Sequence, residues 1–494
     1  MSKTARRLIL IGLAGGPLLA GCVVGPNFHP PAAPAIDRYL PTPLPAETAS
    51  TPGLGGVAQR FVAGAAVPSH WWTAFGAPGL DALEEEALKR NADLDAARAA
   101  LRQAHELYLA QRASVFPSAQ FAANGSRSKN SATIAPPLSS NAEYYSLYTA
   151  QLNVSYVLDV FGGERRQNEA AAAQAENQRF QTEAVYLTLT TNVANAALQV
   201  AGLRAQLDDV QRVVAANRET LDLVRHMQAA GENSTADVAA AETALEQAEQ
   251  LAPPLRKQLE QQNDLLAVLL GRPPAEAAGP ALALADFTLP RDLPVSLPAD
   301  LVRRRPDIRA AEANLHVASA QVGVAEAARL PSFTLDGSVG GASSTLRSLV
   351  DSNNSLLSIG TSTAQTVFDA GALRHRQRAA EAALDQAKAQ YRGAVLAGLQ
   401  NTADVLQAII DDADALKHAA RAADAAEHTL AIARAQLERG QAGALGVLSA
   451  EAAWRQAEVS LDQARAARYL DTVALLQALG GWWNPENVSG ARAG

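Results

Sequence analysis

The stretch from Glu164 to Ala230 reads ERRQNEAAAAQAENQRFQTEAVYLTLTTNVANAALQVAGLRAQLDDVQRVVAANRETLDLVRHMQAA, with no proline and a single glycine, Gly202. Its apolar positions step by threes and fours: Tyr186, Leu189, Val193, Ala196, Val200, Leu203, Leu207, Val210, Val214, Leu221 and Val224. A seam of period 3.5 is the signature of helices that supercoil around a partner. At about 1.5 Å per residue the stretch spans roughly 100 Å as helix, far beyond the three turns usual in a globular domain. Taken alone, it fits a free-standing coiled-coil rod equally well.

A second copy follows. Ala372–Arg439 is again proline-free and alanine-rich, with Val395, Leu399, Leu406, Ile409, Ala413, Leu416, Ala420, Ala423, Leu430 and Leu437 on the same stepping. Landmarks repeat at a near-constant offset: Phe116-Pro117 with Leu330-Pro331, Gly231 with Gly440, Leu270-Gly271 with Leu479-Gly480. The chain is a tandem duplication, and one interpretation has to serve both halves.

Composition narrows the class. Of 494 residues, 48% are hydrophobic, 19% charged and 5% aromatic, so much of the apolar count is alanine, which builds thin helical layers rather than a thick core. A net charge of −8 and the lack of a basic patch with interleaved aromatics argue against nucleic acid as a partner. One cysteine, Cys22, excludes intrachain disulfides and a cysteine metal cluster. No cofactor or metal is expected; the eight histidines are scattered, and no nucleophile sits in a glycine-flanked turn, so an enzyme is the remote reading.

In order, residues 1–21 read as a signal peptide: Lys3, Arg6 and Arg7, then apolar Leu8–Leu19, ending in Leu19-Ala20-Gly21-Cys22. Small residues before the cysteine fit cleavage and lipid attachment at Cys22, which would hold the chain at a bilayer surface. Residues 22–70 are the lipid anchor and an extended segment without helix or strand periodicity. The first repeat is 71–298: Trp71-Trp72 and Phe75, a short helix Leu80–Leu88, a helix capped by Asp93 and running to about Ser114, a β-hairpin at about 115–160, the long helix 164–230, a return helix 237–270 interrupted at Pro253-Pro254, and a proline-rich link. The second repeat, 299–484, holds a helix, a hairpin at about 331–368, the long helix 372–439 and a return helix 446–479. Residues 485–494 are expected to be a mobile tail.

The hairpins alternate. Tyr148, Ala150, Leu152, Val154, Tyr156 and Leu158 face one way; Thr149, Gln151, Asn153 and Ser155 face the other. A half-buried soluble strand alternates too, but ten-residue strands with one apolar and one small-polar face and tyrosines near an end fit a membrane barrel. Four strands are too few, and an open edge in lipid leaves backbone groups unpaired, so strands must close with those of other chains. Two copies would give eight strands and three would give twelve. The expected fold class is mainly α with a small membrane β part, a tandem-repeat protomer of an outer-membrane barrel continued by a long helical coiled-coil barrel.

At this point particular motifs match a family. Cys22-Val23-Val24-Gly25-Pro26-Asn27-Phe28, Trp72 with Phe75 and Leu80, Asn91-Ala92-Asp93-Leu94, and Leu301-Val302-Arg303-Arg304-Arg305-Pro306-Asp307-Ile308-Arg309-Ala310-Ala311-Glu312 resemble the TolC-like outer membrane factors. They resemble in particular the lipoprotein branch (NodT/OprM-like) that serves resistance-nodulation-division efflux pumps. The resemblance covers nearly the whole chain. It implies a homotrimer with a twelve-stranded barrel in outer-membrane lipid, acyl chains on Cys22, and a periplasmic helical tunnel. A periplasmic adaptor (membrane fusion protein) would dock at the tip and link it to an inner-membrane efflux transporter. Drugs, toxic compounds or metal ions would pass unchanged. A channel for type I protein secretion and a non-channel structural coiled-coil lipoprotein are the alternatives.

By the same resemblance, the gate and docking surface fall on the two turns after the long helices: Gly231, Glu232, Ser234 and Asp237, and Gly440, Gln441, Gly443, Gly446 and Ser449. The family carries aspartates where this chain has Gly446 and Ser449, and a tyrosine–arginine network where it has Leu437 and Ala442. Asp237 alone matches. The gate is therefore expected to close mainly by packing, with Asp237 either a polar lock or a plain helix-start residue.

Overall fold

A computed structural model describes residues 23–65, 67–129, 131, 143–276, 282–441 and 443–480. The signal segment, Cys22, most of the polar loop of the first hairpin, Ala442 and the tail lie outside the described residues.

The elements are β1 (Arg60–Ala63), α1 (Pro78–Arg90), α2 (Ala92–Ala113), β2 (Ser118–Lys129), β3 (Tyr144–Leu158), α3 (Gly163–Ala229), α4 (Thr235–Glu249), α5 (Ala252–Leu269), β4 (Asp292–Val295), α6 (Pro298–Arg304), α7 (Pro306–Ala327), β5 (Ser332–Ser343), β6 (Ser355–Ala364), α8 (Ala372–Glu438) and α9 (Ala444–Ala478). The chain is mostly helical, and α3 and α8 are each 67 residues long. No helix among the described residues is long and apolar enough to cross a membrane. Two compact units form, and each draws on both repeats: one takes residues through Pro31, Leu101–Gln178 and Ala310–Tyr391, the other Ala32–Ala100, Arg179–Arg309 and the chain from Arg392.

The first unit holds one antiparallel sheet of order β2-β3-β5-β6, so the two hairpins adjoin. Register lines up Phe121, Leu152, Val339 and Leu357 in one row and Ala119, Val154, Gly337 and Ile359 in the next. The opposite face carries Gln120, Asn153, Ser338 and Ser358, then Ser118, Ser155, Asp336 and Gly360. There the Ser155 hydroxyl donates to Asp336 Oδ1 at 2.8 Å. A period-2 sequence must segregate its faces in this way once register is set. The apolar face is bare in the protomer: Phe121 is 69% exposed, and Leu357 and Ile359 are 76%. Both long helices start from an aspartate in the strand-to-helix turn. Asp159 accepts from the amides of Glu164 (3.0 Å) and Arg165 (2.9 Å), and Asp369 from those of Gly371 (2.8 Å) and Leu373 (2.7 Å).

The second unit has the larger core. Trp71, Trp72 and Phe75 pack edge-on, with ring centroids 5.9 and 6.3 Å apart, amid Leu80, Leu198, Leu293, Leu301 and Tyr469. Two expectations need correction here. The helix assigned to an Asp93 cap starts two residues sooner, at Ala92, because Asn91 Oδ1 accepts the Leu94 amide at 3.0 Å. The segment read as wholly extended contributes β1, which pairs in parallel with β4 of the link. The interruption expected in the return helix 237–270 is present: Pro253 and Pro254 occupy the first turn of α5, and α4 stops at Glu249 because proline cannot supply the next amides. The arginine run is split by role. Arg303 and Arg304 are exposed, whereas Arg305 donates to the Ala478 carbonyl (2.8 Å) and Asn401 Oδ1 (3.1 Å) and pairs with Asp307 (2.8 Å), joining α6, α8 and α9.

Candidate functional site: two helix turns and an N-terminal clamp

The turns after α3 and α8 share one backbone solution. At the first, the Gly231 amide donates to the Gln228 carbonyl (2.9 Å) and the Glu232 amide to that of Met227 (2.8 Å). At the second, Gly440 donates to Leu437 (2.9 Å) and Gln441 to Gln436 (2.9 Å). This is the Schellman closure, and its left-handed residue is glycine both times, with φ of 81° at Gly231 and 66° at Gly440. An ion pair crosses each hairpin at equivalent positions: Arg225 with Glu242 at 2.8 Å and Arg434 with Glu451 at 3.3 Å. The first pair is half exposed. Glu451 is fully buried, and burial pushes its carboxyl up while Arg434 opposes the shift.

The turns differ in how the return helix begins. Ser234 caps α4, with its hydroxyl accepting from the Asp237 amide (3.2 Å); the Asp237 carboxylate accepts from the Ser234 amide (2.8 Å) and hydroxyl (2.7 Å). That is a reciprocal capping box. Those two bonds from Ser234 hold the Asp237 carboxyl below its ordinary value. At the second turn the equivalent residues are Gly443 and Gly446, and α9 starts from Gly443 without a side-chain cap. Glu232, Gln441, Gly446 and Ser449 are exposed. Packing beneath comes from Leu221, Val224, Ala241 and Leu448 at one turn and from Leu430, Leu437, Val447 and Ala450 at the other. Asp237 thus serves as a helix-start residue in this chain. The two turns offer a surface of backbone, small side chains and the exposed Glu232 and Gln441.

Sequence reasoning missed a clamp on the segment after Cys22. Arg166, on α3 and nearly inaccessible, donates to the carbonyls of Val24 (3.1 Å) and Gly25 (3.1 Å) and to Asn27 Oδ1 (2.8 Å), and pairs with Glu169 at 2.7 Å. Glu169 also bonds His316 Nε2 at 2.8 Å, and the His316 ring stacks on Phe28 with centroids 4.2 Å apart. The Glu169 carboxyl lies below its ordinary value: burial raises it, and Arg166 and His316 together outweigh the burial. Gly25 crosses Gly323 so closely that a Cβ on Gly25 would lie 2.3 Å from the Gly323 Cα. The Val24 amide donates to the Phe161 carbonyl (3.1 Å), in the turn between β3 and α3. The residues just after the cysteine are therefore fixed beside the sheet. The motif Val23–Phe28 was the available signal.

Comparison with known proteins agrees with this organisation. The family model described as outer membrane efflux protein matches residues 83–272 and 297–481. The pyoverdine export outer membrane protein OpmQ of Pseudomonas putida is 30% identical over 450 residues, covering 90% of this chain and 95% of that one. Outer membrane protein OprJ of Pseudomonas aeruginosa is 29% identical, covering 94% of each. The solved outer-membrane channel OprN superposes with a TM-score of 0.84 at 28% identity, over 94% of this chain and all of that one. The chain belongs to the outer membrane efflux protein family and is an outer-membrane efflux channel.

Proposed function

We propose that three copies close their four-stranded sheets into a twelve-stranded barrel in the outer membrane. The observation that carries this is the sheet: two rows free of polar side chains cross all four strands, and β2 and β6 are left as open edges. In lipid an open edge leaves amides and carbonyls unpaired at several kcal/mol each, so each β6 pairs with the β2 of a neighbour. Tyr144 and Tyr148 at one end of the sheet, and Phe116, Tyr156, Phe161 and Phe333 at the other, would form the two aromatic girdles of such a barrel.

In this reading Cys22 carries the lipid, and the Arg166–Glu169–His316 clamp sets its distance from the barrel. The long helices line a periplasmic conduit, and the two glycine turns dock an adaptor that joins the channel to an inner-membrane transporter. The channel adds no chemistry and conducts passively. Small organic molecules are the favoured cargo, since the relative OpmQ is named for export of pyoverdine. Photo-crosslinkers at Glu232 and Gln441 in living cells test the docking. Capture of an adaptor of a proton-driven pump is the expected result. Capture of an adaptor of an ATP-driven exporter would move the function to protein secretion, and self-crosslinks alone would refute the pump assignment.

A further inference from the structure

Helix α8 begins with an unusual charge arrangement. Arg374, His375, Arg376 and Arg378 lie in its first two turns and are all exposed, and its first turn has no acidic residue. The helix dipole disfavours cations at this end, and Arg374 and Arg378 lie one turn apart on one face, where like charges repel. The nearby carboxylates are already engaged: Asp369 caps the helix, and Glu381 accepts from Gln377 Nε2 at 2.9 Å. No ion pair or hydrogen bond to Arg374, Arg376 or Arg378 is present among the described residues. The start of α3 contrasts with this, since Arg165 pairs with Asp159 at 3.0 Å and Arg166 is buried in its clamp.

The patch follows directly on the sheet. β6 ends at Ala364, and the next apolar side chains, Val367 and Phe368, are 95% and 88% exposed. Exposed Arg329, in the neighbouring α7–β5 connection, donates to Gln377 Oε1 of α8 at 2.5 Å and so lies against the patch. The order is apolar strand, exposed Phe368, then arginines within roughly 10 Å of the helix start. That order matches the passage from hydrocarbon to headgroups at a membrane surface.

We propose that Arg374 and Arg378, with Arg376 completing the patch, bind the phosphate headgroups of anionic phospholipids in the periplasmic leaflet of the outer membrane. The inference rests on the barrel reading. Asp369 lies within electrostatic reach of Arg376; lipid phosphate supplies the countercharge that the chain withholds from Arg374 and Arg378, and it fixes the depth of the barrel at its periplasmic rim.

Native mass spectrometry of the full-length protein, delipidated in detergent and offered phosphatidylglycerol and phosphatidylethanolamine in equal amounts, tests it. The wild type should retain phosphatidylglycerol preferentially. Arg374→Gln with Arg378→Gln should lower that preference about 30-fold, which is the two arginines at about 1 kcal/mol each. Arg374→Lys with Arg378→Lys should keep most of it and shows that the site tolerates change. Arg303→Gln with Arg304→Gln, an exposed pair in the other unit, should leave it unchanged. No preference in the wild type, the same preference in the glutamine variant, or an equal loss in the Arg303/Arg304 control would overturn the proposal. The oligomer mass in the same spectra separates the two readings: a wild type that is trimeric without lipid preference sinks only this inference, and one that is never trimeric sinks the barrel.

Discussion

Arg468 should be the most damaging single position in the second unit to lose. Its side chain is 1% exposed and donates to the carbonyls of Gly55 (2.7 Å) and Val57 (3.2 Å), to Thr48 Oγ1 (3.2 Å) and to Gln59 Oε1 (3.0 Å). Gln59 in turn donates to the Pro290 carbonyl (3.1 Å) and Thr472 Oγ1 (3.0 Å), so one guanidinium ties the N-terminal segment and the inter-repeat link to α9. Arg468→Met keeps the length but strands four acceptors, three of them buried. At about 1 kcal/mol net per bond, with the added cost of acceptors left unsatisfied, the loss is about 3–5 kcal/mol. At about 2–4 °C per kcal/mol this is a fall of roughly 10 °C in Tm. Circular dichroism of the detergent-solubilised protein reads the melt. Limited proteolysis should show new cleavage in 48–59 as β1 frays from β4. Arg468→Lys, which reaches fewer acceptors, should fall between. A methionine variant that melts within about 2 °C of wild type, with no new cleavage, would refute the reasoning.

Three further outcomes follow from the same geometry. Burial and the adjacent Asp471 carboxyl push Asp412 up to about 7 from an ordinary 3.8, against the pull of Arg468, so the folded chain holds a proton that the unfolded chain releases. Stability from this group is full below about pH 4 and lost as pH rises to about 7; Asp412→Asn should flatten that slope, about 1–2 kcal/mol after solvent screening, in Tm measured against pH. Gly443→Ser with Gly446→Asp should install the missing capping box and slow amide exchange over residues 443–449, while Asp237→Ala should speed it at the start of α4 and leave conductance unchanged. Gly231→Ala and Gly440→Ala each force a side chain into the left-handed region and should cost about 1–2 kcal/mol in thermal melts, despite open space around both sites.

What the sequence made legible was what repeats locally. The 3.5 seam of α3 and α8 and the alternation of β2, β3 and β5 are properties of each segment alone, so they could be read before any contact was known. The turn symmetry was legible too: Ser234 and Asp237 against Gly443 and Gly446 fall at the repeat offset. What was missed depends on distant partners. β1 and β4 are four residues each, with Pro294 in one, and pair across more than two hundred residues, so neither carries a period. Arg166 and Arg468 are single cations within alanine-rich helices, and half of their partners are backbone carbonyls, which leave no trace in composition. Asn91 displaced Asp93 as the cap because both residue types favour that position and only backbone geometry chooses between them.

The account stands on the closure of three sheets into one barrel. Single cysteines placed in pairs in one chain, one on β2 (Ala119, Phe121 or Ala123) and one on β6 (Leu357, Ile359 or Thr361), can be oxidised in intact cells. β3 and β5 separate the two edges within a protomer by roughly 14 Å, beyond disulfide reach, so a bond has to join neighbours. The account predicts that for at least one register the ladder on a non-reducing gel runs to a trimer and stops there. A ladder that ends at a dimer would make the barrel eight-stranded, and the absence of any crosslink across all registers would contradict the barrel outright.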